Sequence, residues 1–190
     1  MKIRMYKSIC AIALITFVSC KKDKKEPEIV EEITTEQVEE KSTKTKVDLN
    51  KTDQITASGF KDDQTAKIFE QYLLVKKALV NTDAKGVQQA AKGFDPIIGD
   101  EEALKALKAN AKLIALTKDI KKQRDFFVTL TDETEKLVAS GIVSGQVYKQ
   151  FCPMAFNDQG GYWLSNSKEV RNPYFGDKML KCGMVKVTLE

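Results

Sequence analysis

Apolar positions in this chain fall into three regimes. The first is a short run near the N-terminus, Ile9-Cys10-Ala11-Ile12-Ala13-Leu14-Ile15-Thr16-Phe17-Val18. The second, from about Asp62, recurs with helical period. Ile68, Tyr72, Val75 and Leu79 stand four, three and four residues apart, one face of an amphipathic helix. Asn81-Thr82-Asp83 interrupts it and caps a second, shorter helix through Val87, Ala90 and Ala91. Gly93-Phe94-Asp95-Pro96 reads as a turn. Asp100 is placed to cap a third helix, with Glu101 and Glu102 in its first turn and Leu104, Leu107, Ala111 and Ile114 inward. A fourth helix runs from about Ile120 to near Gly141, burying Phe126, Phe127, Leu130, Leu137 and Val138. The third regime begins after Gly145. Val147–Cys152 and 161–164 are short and rich in β-branched or aromatic residues, and Met184–Leu189 alternates like a strand. Gly160-Gly161, Asn172-Pro173 and Gly176-Asp177 punctuate it. Pro173, Gly176 and Gly183 are expected to serve turns, and Arg171 to pair with Asp177.

The predicted fold is therefore mainly α. An antiparallel four-helix bundle over 62–144 is followed by a small loop-rich module over 145–190 with two or three short strands, both within one globular domain, 62–190.

Lys2, Arg4 and Lys7 precede the first apolar run, which is too short for a stable membrane span, the pattern of a secretory signal over 1–19. It ends at Phe17-Val18-Ser19-Cys20, which resembles the lipobox of bacterial lipoproteins. Cys20 is then the lipidation site and the first residue of the mature chain, anchored by its acyl chains, palmitate among them. Lys21 follows, as in lipoproteins sent to the outer membrane. The expected location is the cell envelope, lipid-anchored and facing the periplasm. Residues 20–61 hold few large apolar side chains and are expected to form a disordered tether. The formal charge of +4 owes most of its excess to the signal segment, so it does not point to a nucleic-acid partner.

Beyond Cys20, every Cys and Met lies between 152 and 184: Cys152, Met154, Met179, Cys182 and Met184. The chain has no histidine. Thiol and thioether donors without imidazole suit a soft ion, Cu(I) or Ag(I), better than zinc. Cys152 and Met154 share one side of an extended segment. Met179 and Cys182 can meet on one turn. Trp163 could shield such a site or serve as a packing anchor. A second reading stands beside this one. In an oxidising compartment Cys152 and Cys182 would form a disulfide, with the methionines as core residues. An enzyme is not expected: the usual general base is missing, and no nucleophile elbow, phosphate loop or Cys-x-x-Cys pair occurs.

Val147-Tyr148, Phe151-Cys152-Pro153-Met154-Ala155, Gly161-Tyr162-Trp163-Leu164-Ser165, the stretch from Arg171 to Leu180, and Cys182-Gly183 together resemble a largely uncharacterised periplasmic domain family. Its members occur as stand-alone lipoproteins and attached to adaptor subunits of copper/silver efflux pumps. The resemblance spans about 65–190 and includes Gln123-Arg124. It implies heavy-metal handling without catalysis, a periplasmic efflux adaptor as partner, and Cys152, Met154, Met179 and Cys182 as metal ligands. Met184 stands where a polar residue is expected.

Overall fold

The computed structural model describes residues 47–190. The expected signal segment, the expected lipidation site Cys20 and the first part of the expected tether lie outside them. Five helices and two small antiparallel sheets make up the domain. The helices are α1 (Asp63–Val80), α2 (Ala84–Lys92), α3 (Phe94–Ile98), α4 (Lys105–Leu116) and α5 (Ile120–Gly141). The strands are β1 (Ser58–Phe60), β2 (Ile142–Gly145), β3 (Val147–Cys152), β4 (Gly161–Ser165) and β5 (Met184–Leu189). Among the described residues, no helix is long and apolar enough to cross a membrane.

Helix α1 starts where Asp62 accepts a hydrogen bond from the Thr65 amide, 2.7 Å, satisfying an N–H that has no partner within the helix. Its periodic stripe, Ile68, Tyr72, Val75 and Leu79, is fully buried. Asp83 caps α2 through the Gly86 amide, and Asp119 caps α5 through the amides of Lys121 and Lys122. α1 packs on α2 and α5, and α4 on the same two neighbours. Mainly α is thus the observed class.

Several expectations change at this level. The turn at Gly93–Pro96 is instead the start of α3, because Pro96 sits in a first turn where no amide is needed. Phe94 and Ile98, four apart, face the core. Asp100 does not cap α4. A 3-10 turn over Glu102–Leu104 intervenes, and no side chain caps α4 itself. Arg171 pairs with Glu169 at 3.0 Å, not with Asp177.

The expected tether is also folded from residue 47 onward. Strand β1 pairs antiparallel with β2, Ser58 opposite Gly145. Asp48 bridges Lys77 at 2.8 Å, the Thr56 amide donates to the Asn166 carbonyl, and Arg171 donates to the Lys51 carbonyl. This strap lies across the domain through polar contacts, which composition does not reveal. Gly145 permits it: at φ 74°, a Cβ there would stand 1.9 Å from the Ala57 carbonyl oxygen.

In the second sheet β3 is central, with order β4-β3-β5, all antiparallel. The β4 side joins the helices. The Tyr72 hydroxyl, on α1, accepts from the Leu164 amide at 2.9 Å and shares a 2.9 Å hydrogen bond with Thr131 on α5. All three groups are buried, so Tyr72→Phe leaves an amide and a hydroxyl without partners. It should cost about 1–3 kcal/mol, measured by denaturant unfolding. Strand β5, by contrast, is exposed along most of its length.

Candidate functional site

The central strand delivers the first sulfur. Along β3, Tyr148, Gln150 and Cys152 alternate onto one buried face, and Cys152 is fully enclosed at its end. The second sulfur arrives from a tight turn, in which the Cys182 amide donates to the Met179 carbonyl at 3.0 Å. Asn172 clamps this turn from inside. Its amide donates to the Leu180 carbonyl and its side-chain nitrogen to the Cys182 carbonyl, both at 2.8 Å. Gly183 is then required: a Cβ there would lie 2.8 Å from the Trp163 ring and 3.0 Å from the Phe151 carbonyl.

The outcome is that the Cys152 and Cys182 sulfurs are brought to 3.0 Å from each other without being bonded. A disulfide would need them about 1 Å closer. Two sulfurs each about 2.3 Å from a shared cation would stand roughly 3.5–4.5 Å apart. The pair sits between these states, and either is a movement of about 1 Å away. The hydrogen bond to Cys152 holds the Cys182 proton most strongly. Burial and the charge Cys152 would carry add to this, pushing the Cys182 thiol up to about 11. At neutral pH that thiol is protonated, so any ligand to its sulfur must displace a proton.

The methionines are placed differently. Met179 is partly buried and ends the 3-10 turn over Gly176–Met179, three residues before Cys182. Met154 is 48% exposed, just past Pro153, so its thioether is largely in solvent rather than sealed beside Cys152. Met184 is equally exposed on β5, paired with Phe151. Two thiols therefore converge, and the thioethers flank them along the chain. Among the described residues no group of three or more His, Cys, Asp and Glu side chains could hold a metal ion. Thiol and thioether sulfurs are soft donors.

Trp163 is a packing anchor. It is fully buried, and its indole N–H donates to the Gln150 side-chain oxygen at 2.7 Å. Gln150 in turn donates to the carbonyls of Ser167 and Lys168. Between Cys152 and β4 the chain makes a left-handed turn in which Phe156, Asn157 and Asp158 all have positive φ, 54°, 55° and 65°. Three consecutive non-glycine residues in that region are costly. The Phe156 ring, packed edge-on against Tyr174 at 4.9 Å, holds the turn in place.

Residues 68–145 match a DUF3347 domain. The family is described as a protein of unknown function. The DUF3347 match runs from the first buried residue of the α1 stripe to the end of β2. It stops two residues before β3, so both thiols lie outside it. That description names no metal, lipid anchor or efflux adaptor. No curated protein and no solved structure matches the chain.

Sequence reasoning passed over one buried charged group elsewhere in the fold, Lys76. It lies four residues after Tyr72 and three before Leu79, inside the α1 stripe, and that spacing was the available signal. Its amine is 3.3 Å from both the Asn50 side-chain oxygen on the strap and the Ser165 hydroxyl on β4. No carboxylate is within ion-pair distance of it among the described residues.

Proposed function

We propose that this protein is a periplasm-facing, lipid-anchored metal-handling lipoprotein that takes up one soft monovalent cation, Cu(I) or Ag(I), between Cys152 and Cys182. The ion is cargo, passed on by ligand exchange to a partner such as a periplasmic efflux adaptor, and no bond is made or broken in a substrate. The observation that carries this reading is the meeting of two thiols from segments 30 residues apart, in a chain without histidine. Met179, on the same turn as Cys182, is the nearest candidate third donor along the chain, with Met154 as an outer one. We also read α1, α2, α4 and α5 as the members of an antiparallel four-helix bundle, each packed on two of the others.

Reduced protein is expected to bind about one Cu(I) in competition with a chromogenic chelator, more tightly as pH rises, because metal displaces thiol protons. The double variant Cys152→Ser, Cys182→Ser should lose that affinity while keeping its helical circular dichroism. Equal affinity in the variant would discard the site.

A second reading is favoured by the same short separation. Closing the pair into a disulfide would enclose a loop of about 30 residues and stabilise the fold by roughly 3–4 kcal/mol in the chain-entropy account. Alkylation of the native protein separates the two. Thiols that react only after reductant, in protein that ignores Cu(I), favour the structural bridge.

A further inference from the structure

We propose that the corner joining α4 to α5 is a contact surface for an anionic lipid bilayer. Leu113 and Leu116, on the last turn of α4, are 47% and 69% exposed, and no described element covers them. Around them stand Lys112, Lys118, Lys121 and Lys122, all exposed. None of these four lysines takes part in an ion pair among the described residues, whereas Lys77, Lys105, Lys108, Lys136 and Lys149 all do. The one carboxylate in the stretch, Asp119, is engaged by the amides at the start of α5. The corner is therefore positively charged and carries two protruding aliphatic side chains.

It is also rigid. The Gln123 side chain donates to the Thr117 carbonyl at 2.6 Å and the Ala84 carbonyl at 3.0 Å, and Gln88 donates to the Ala115 carbonyl at 3.0 Å. The leucines are thus held out by side-chain hydrogen bonds to the helix end rather than left on a loose loop. A neighbouring cavity of about 290 Å³ carries Lys121, Arg124 and Lys178 against the single carboxylate Asp125, beside Phe156 and Tyr174.

This combination fits a bilayer. Lysines attract anionic headgroups, while aliphatic side chains enter the acyl boundary. A nucleic acid would use the lysines but leave the leucines in water. A protein partner would need a broader apolar face than two side chains supply. The proposal does not depend on the sulfur site and agrees with the lipid-anchor reading, since the corner would orient a domain already held at a membrane.

The test places a reporter at the corner. Full-length protein carrying Leu116→Trp is added to vesicles of phosphatidylglycerol with brominated acyl chains, and to matched phosphatidylcholine vesicles. Leu74→Trp, at an exposed leucine of α1, is the comparison, and Trp163 supplies a constant buried background. Quenching at position 116 on the anionic vesicles, weak on the zwitterionic ones and absent at position 74, is expected. Adding Lys118→Gln, Lys121→Gln and Lys122→Gln should weaken the contact about a hundredfold. High salt applied to protein with its lysines intact should act in the same direction, which guards against a variant that fails to fold. Equal quenching at 116 and 74, or quenching indifferent to headgroup charge and salt, would overturn the proposal.

Discussion

Lys76→Met is expected to stabilise the protein below neutral pH by about 1–4 kcal/mol and to remove most of its pH dependence between 7 and 9. Burial is the main cause, with the nearby Arg171 charge second, and together they bring the Lys76 amine down to about 7. In the unfolded chain it titrates near 10.4. Between those values the unfolded chain binds a proton that the native state does not, so native stability should rise with pH across that window. Below about 7 both states are protonated, and the native state bears the full cost of a buried cation with only two neutral acceptors at 3.3 Å. Methionine keeps the stem and removes the amine. Urea unfolding at a series of pH values, under reducing conditions, measures both effects. The comparison should stop near pH 9. Above it Cys182, whose proton the fold holds more tightly than the unfolded chain does, contributes stability that fades as pH rises toward 11. Equal slopes in wild type and variant would show that the amine stays charged in the fold.

The second large effect is expected at Trp163. Trp163→Ala should cost about 3–5 kcal/mol, because it empties a fully enclosed volume and strands the Gln150 oxygen. Trp163→Phe fills most of that space yet still leaves the Gln150 oxygen without its donor, so about 1–3 kcal/mol is expected. These substitutions also reach the sulfurs. The Trp163 ring is what the Gly183 backbone rests on, next to Cys182. The alanine variant should therefore alkylate faster at Cys182 even where its helices remain intact. Unchanged alkylation would mean that the Asn172 clamp alone positions the turn.

What the chain discloses about itself divides along physical lines. The α1 stripe and the α5 span were legible because burial on one helical face imposes a period of 3.6. Strands β3 and β4 were legible through their β-branched and aromatic content and the glycines around them, and β5 through its alternating sequence, although little of it is buried. The strap over 47–60 was not, since it is ordered by single polar contacts to side chains up to 120 residues away, such as Lys51 to Arg171. Such contacts leave no local hydrophobic signature. α3 was hidden behind a Gly-Phe-Asp-Pro sequence that also suits a turn, although Phe94 and Ile98 already carried helical spacing. At the site, sequence could nominate Cys152 and Cys182 by composition. Their approach to 3.0 Å depends on Asn172, Gly183 and Trp163, whose roles follow only from tertiary packing. The exposure of Met154 likewise reflects how the chain leaves β3, through the left-handed turn, rather than anything in the Cys-Pro-Met order.

The pairing of β3 with β5 has a consequence for biosynthesis. β4 can join β3 as soon as a hairpin's length of chain has emerged, but the other edge of β3 waits for Met184–Leu189. Until then the turn bearing Cys182 lacks the strand that follows it, and only the Asn172 hydrogen bonds hold it near Cys152. Within the described domain, the sulfur pair therefore depends on the element latest in chain order. Any oxidant or soft ion that reaches the domain before then meets Cys152 without Cys182 firmly held beside it.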